Sequence, residues 1–292
     1  MRRALADAVV RTVLYADVFD YPLETSEIQR YLIGESASLA QVEDVLARDL
    51  PAALEVSGRH VHLRGRGAIV GIRARRTAAS ARLWARARRY ARLAARLPLV
   101  RGVAISGALA MRNAEADGDV DLFVLAQPGR VWTCRLLLVV LVRLAEARGV
   151  CLCPNFILSA DRLALARRDL FTAHEIVQMV PVELTPALDD FLHANEWTRA
   201  FLPNASPPIG AARRVDPPVS HVATAALSSR LFAPLERWER ERKIRRLEDR
   251  HRREGGSVSF TEHECRGHFG AHDVRVPALV AARVAEIETA TA

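Results

Sequence analysis

Two acids open an otherwise apolar run, Asp119-Val120-Asp121-Leu122-Phe123-Val124-Leu125, and this run constrains the fold more than any other stretch of the chain. A run apolar at both alternating sets of positions reads as a strand covered on both faces, which belongs in the middle of a sheet. Residues two apart on a strand share a face, so Asp119 and Asp121 project together at its beginning. Two carboxylates so placed repel each other and lose hydration unless a cation joins them. Mg2+ is the natural cation, because it takes hard oxygen ligands and shares them with substrate phosphates. A calcium loop starting at Asp117 does not fit: its sixth position holds Leu122 where glycine is needed, and its twelfth holds Pro128 where glutamate is needed.

The flanking segments alternate between strand and helix signals, the mark of an α/β layer architecture. A strand is predicted over 100–105, a short helix over 107–111 and a helix over 131–148. A strand over 150–158 is interrupted at Pro154, and helical stretches come next near 162–180 and 186–201. Gly107 stands between the first strand and the short helix. A glycine there lets the backbone approach a phosphate closely, and the helix start offers free N–H groups, including that of Ala108. Arg112 is a nearby cation for phosphate.

The order Gly107-Ala108, a short spacer, then Asp119-Val120-Asp121 resembles the DNA polymerase β-like nucleotidyltransferase superfamily, including minimal bacterial nucleotidyltransferases, over about residues 99–160. In that superfamily Gly followed by Gly or Ser precedes Asp-x-Asp or Asp-x-Glu. The resemblance implies an α/β (α+β) fold with a mixed-sheet core. It also implies Mg2+ or Mn2+ at Asp119 and Asp121, and transfer of a nucleoside monophosphate from a nucleoside triphosphate with release of pyrophosphate. Ser106, Gly107, Ala108, Arg112 and Asn155 are the candidate nucleotide-binding residues. This chain departs from the pattern twice. Ala108 stands where the family has Gly or Ser. The strand expected to bring a third carboxylate, 150–158, contains no acid, and Asn155 is its only amide. Asp161, Glu175 and Glu183 remain candidates for that acid. The acceptor is open among a small molecule, a protein hydroxyl and an RNA end. The rival reading is a non-catalytic nucleotide-binding regulator whose N-terminal unit binds DNA or a protein partner.

Residues 1–68 read as a separable unit: three short helices and a β-hairpin turning at Ser57-Gly58-Arg59, the order of a winged helix. Thr25 or Ser26 is the expected cap of the second helix and Ser38 of the third. Val61 and Leu63 alternate with His60 and His62, as in a half-buried strand. The third helix carries only Arg48 against Glu43, Asp44 and Asp49, whereas a groove-reading helix should be basic. Residues 69–202 comprise an arginine-rich helix over 70–97 and the nucleotidyltransferase-like core. Residues 203–292 read as a proline-rich strap followed by a helical C-terminal region, with one short strand near 258–260. His263, Cys265, His268 and His272 lie close in sequence, but their spacing fits no standard zinc pattern, so they read as a polar loop.

The net charge of +8 favours anionic partners, with any binding to nucleic acid weak and sequence-independent. The four cysteines form no zinc pattern and read as reduced thiols. No signal-like or membrane-spanning stretch is expected, and hence a cytoplasmic protein with no membrane partner.

Overall fold

The computed structural model describes residues 2–207, 221–254 and 256–269, and within the C-terminal segment 275–276, 278–280 and 282–283. The chain is mixed α/β. Its N-terminal part contains α1 (Arg2–Asp17), β1 (Leu23–Glu24), α2 (Thr25–Arg30), α3 (Leu39–Arg48), β2 (Leu54–Ser57) and β3 (His60–Leu63). The strands form a small antiparallel sheet in the order β1-β3-β2. Leu14, Ile28, Val42, Val45, Leu54 and Val61 close a core of their own beneath it. Ser38 caps α3 in a reciprocal capping box with Gln41. The cap of α2 is Glu24, whose N–H donates to Glu27 Oε2 at 2.8 Å; Thr25 and Ser26 are already helical. Because β3 is the central strand, His62 is buried rather than half-exposed. Its ring lies 2.8 Å from Ser57 Oγ and 2.8 Å from Leu63 O.

Helix α4 (Ile69–Ala95) ends just before Pro98. Most of its arginines are exposed, but Arg73 is buried. Its guanidinium donates to Glu27 Oε2 and Oε1 at 2.7 and 3.0 Å and to Pro22 O, and it lies over the Tyr21 ring. Arg76 donates to Glu115 Oε1 at 2.7 Å and to Phe19 O at 3.0 Å, and Asn113 Nδ2 also donates to Phe19 O. The N-terminal unit thus has its own core and is also tied by hydrogen bonds to α4 and to the loop containing Asn113.

The larger sheet collects β4 (Val100–Ile105), β5 (Val120–Ala126), β6 (Leu152–Ser159), β7 (Val180–Pro181), β8 (Gly256–Phe260) and β9 (Glu264–Phe269), in the order β7-β4-β5-β6-β9-β8. Only β5 and β6 pair in parallel, so the sheet is mixed. As its two-sided apolar pattern requires, β5 sits inside the sheet. Leu122 and Val124 pack towards α4 and α6 (Val131–Glu146), whereas Phe123 and Leu125 pack towards α7 (Leu170–Gln178) and α8 (Pro186–Ala194). The short helix α5 (Gly107–Ala110) joins β4 towards β5.

The C-terminal region differs from the helical reading. Residues 256–269 form a hairpin whose second strand pairs antiparallel with β6, so this region completes the sheet. Ahead of the hairpin lie α9 (His221–Ser228) and α10 (Ala233–Glu254), separated by a 3-10 turn at Arg230–Phe232. The helix expected over 162–180 shortens to α7, capped by Asp169. Most of the proline-rich strap and His272 fall outside the described residues. The described residues of the C-terminal segment are helical, with Val276 buried beside Tyr15 and Phe171. Among the described residues, no helix is long and apolar enough to cross a membrane.

Candidate metal and nucleotide site

The beginning of β5 is where the chemistry gathers. Asp119 is exposed just before the strand, and Asp121 is its second residue. The parallel register sets Cys153 of β6 directly beside Asp121. One ligand atom each from Asp119, Asp121 and Cys153 lies within 4.8 Å of the others. Asn155 Nδ2 donates to Asp121 Oδ1 at 2.9 Å and fixes that carboxylate's orientation. The register between β5 and β6 shifts after Asp121, at the irregularity that Pro154 introduces. Both Cys153 and Asn155 thereby reach the same carboxylate.

Gly107 closes the opposite side. Its φ of +63° is left-handed, and a β-carbon there would collide with the Asp121 carboxylate. The Ser106 N–H donates to Asp121 O at 3.0 Å, extending the β4–β5 pairing to the turn. Gly107 and Ala108 are exposed and line a cleft of about 710 Å³, together with Asp119, Asp121, Cys153 and Asn155. Ser106 lines a smaller neighbouring pocket with Asn155 and Glu175. Arg112 departs from expectation. It is exposed, takes a left-handed φ of +55°, and does not line the cleft.

Of the three candidates for a third acid, Glu175 on α7 is the one lining the cleft, and its charge acts on Asp121. Asp161 accepts from Ser159 Oγ beyond the far end of β6, and neither it nor Glu183 lines the cleft. Burial, the Asp119 charge and the Glu175 charge push the Asp121 carboxyl up to about 8, and only a hydrogen bond with Cys153 opposes them. A carboxyl this destabilised as an anion is one that a divalent cation would relieve. The donor set fits such an ion. It adds a soft thiol to two hard carboxylates, which suits Mn2+, Zn2+ or Co2+ as well as Mg2+.

Cys153 is the member that motif reasoning missed, because only the β5–β6 register brings it to Asp121. All four cysteines are free thiols. The histidine-rich stretch forms no comparable group among the described residues: Cys265 is a buried β9 residue, and His263 lies against Glu262. The N-terminal unit supplies an aromatic wall to the cleft through Tyr15, Phe19, Tyr21 and Tyr31. Tyr15 stacks on His174 of α7, with ring centroids 3.9 Å apart and planes 12° apart.

No family model, no curated protein and no solved structure gives a significant match to this chain.

Proposed function

We propose that the chain is a metal-dependent nucleotidyltransferase of the DNA polymerase β-like kind, carrying a winged-helix-like unit at its N-terminus. The observation that carries this reading is the Asp119–Asp121 pair at the edge of the cleft, held by Asn155 and pressed against the Gly107 turn. In the reaction, an acceptor oxygen attacks the α-phosphorus of a nucleoside triphosphate, and the bond to the departing pyrophosphate breaks. A bound Mg2+ or Mn2+ would supply neutralisation of the negative charge that develops on the phosphate oxygens.

The residues of the chain have separable tasks. Asp119 and Asp121 hold the ion, and Cys153 stands beside them as a further donor. Asn155 keeps Oδ1 of Asp121 engaged, and Oδ2 lies against the Gly107 turn. The exposed N–H groups of Gly107 and Ala108 face the phosphates where no side chain intervenes. Glu175 is the carboxylate within the cleft best placed to take the acceptor's proton. The N-terminal unit acts as a wall of the site. Its α3 exposes Glu43 and an Asp44–Arg48 ion pair of 2.8 Å, a surface that would repel a DNA backbone.

One observation favours a second reading, a non-catalytic nucleotide-binding regulator. Cys153 and Asn155 occupy the part of β6 where the third carboxylate was expected. Incubation with each α-labelled nucleoside triphosphate and Mg2+ or Mn2+, in the presence of a cell extract as acceptor source, separates the two. Labelled product with equimolar pyrophosphate is expected for the transferase. Tight metal-dependent nucleotide binding without pyrophosphate release would favour the regulator.

A further inference from the structure

The cleft has a second end, remote in chemistry from the acids. Arg135 on α6 enters it beside Val139, Val142, Leu247, Phe260 and Cys265. Two of its nitrogens, Nε and Nη1, are buried and have no hydrogen-bond partner. A guanidinium is rarely left this way, since buried donors without acceptors lose their hydration and gain nothing in return. Neither nearby carboxylate bonds to those nitrogens. Glu239 is fully buried and pairs with Arg242 through Oε2 at 2.5 Å, with its Oε1 left without a hydrogen-bond partner, and Glu264 pairs with Arg266 at 2.9 Å and accepts from Ser259 Oγ at 3.1 Å.

A second cation adds to the excess. Lys243 on α10 is the only lysine of the chain and lies close enough to Arg135 for their charges to repel. The thiol of Cys265 hydrogen-bonds with Arg135, but burial keeps that thiol neutral, so it brings no compensating charge. The cleft is therefore bipolar. Asp119, Asp121 and Glu175 make one end negative and Arg135 makes the other positive, with Lys243 near Arg135 but outside the lining. Apolar walls between the ends strengthen both fields.

We propose that the Arg135 end of the cleft is a separate anion-binding subsite, shaped to take a phosphate or carboxylate group of a bound molecule. The planar fork of the guanidinium matches two oxygens of such a group, and Lys243 adds a point charge behind it. The inference stands apart from the transfer reaction, because the subsite needs no metal.

The test uses the full-length protein in EDTA, titrated with sodium pyrophosphate. Wild type and an Asp119→Asn/Asp121→Asn variant are expected to bind it alike. Arg135→Met is expected to bind at least tenfold more weakly while melting no lower than wild type in anion-free buffer. A second measurement needs no variant: acetylation of Lys243, followed by peptide mass spectrometry, should slow when pyrophosphate is present. Two further arms identify the anion's source. If Arg135→Met also weakens a metal–nucleotide complex, the subsite holds the triphosphate tail. If nucleotide binding is unchanged while pyrophosphate binding is lost, it holds an anionic acceptor. Equal pyrophosphate binding by wild type and Arg135→Met, or Lys243 acetylation unaffected by pyrophosphate, overturns the subsite. So does a loss of binding confined to the Asp119→Asn/Asp121→Asn variant, which would put the anion at the acidic end.

Discussion

The Asp121 carboxylate occupies the space that a β-carbon on Gly107 would need. The turn that presents backbone N–H groups and the acid that would hold a cation are therefore in direct contact, with nothing between them. In the proposed function, the β4–α5 junction itself would bring phosphate and metal ligands together.

Gly107→Ala should damage both at once. The left-handed φ of +63° alone makes a non-glycine residue unfavourable by about 1–2 kcal/mol, and the new methyl group must also displace Asp121. Thermal melting should show a loss of at least that size. Calorimetry with a manganese–nucleotide complex should show affinity reduced more than tenfold. A variant that melts lower but binds normally would mean that Asp121 can move away without consequence.

Cys153 gives the site a spectroscopic handle. Co2+ added to the apo-protein should produce the near-ultraviolet absorption of a thiolate–cobalt bond. Cys153→Ser should remove that band while Co2+ still binds through the two carboxylates, more weakly. A Co2+ spectrum indifferent to Cys153 would restrict the ligands to oxygen and return the preference to Mg2+.

His174 sets an acid limit on stability. Complete burial outweighs its hydrogen bond to Leu170 O and pulls its pKa from 6.5 down to about 4. Between those values the unfolded chain takes up a proton that the folded chain does not, so stability falls as pH drops from about 6.5 to about 4. The full effect is roughly 3 kcal/mol. His174→Phe can keep the stacking on Tyr15 and should flatten this part of the pH–melting profile. An unaltered acid limb in that variant would assign the loss to other groups.

The mixed α/β class and the juxtaposition of Asp119 and Asp121 with the Gly107 turn were legible in the sequence, and the rest was hidden for definite reasons. The apolar β5 run, the Ser38 cap and the Gly107 turn are local signals, and each fixes its element without help from distant residues. Strand β9 lacks such a signal. Glu264-Cys265-Arg266-Gly267 looks like a polar loop and becomes a strand because it exchanges backbone hydrogen bonds with β6 and β8. Cys153 as an addition to the candidate site, and the choice of Glu175 over Asp161 and Glu183, are likewise tertiary. The first depends on a parallel register, and the second on where α7 docks. Arg112 and Arg73 show the converse. Sequence proximity suggested phosphate contact for Arg112, whereas Arg112 does not line the cleft, and Arg73, in a run whose other arginines are mostly exposed, is buried against Glu27.

The most direct test of the metal–nucleotide site is calorimetric titration of wild type and Asp119→Asn/Asp121→Asn with a nucleoside triphosphate, with and without Mg2+ or Mn2+. Removing the mutual repulsion of the two acids and the desolvation of the Asp121 carboxylate should leave the apo-variant melting at or above wild type. Wild type should bind nucleotide tightly only with the metal, and the variant should lose that metal-dependent binding while remaining folded. Metal-dependent nucleotide affinity unchanged in the folded variant would contradict the site.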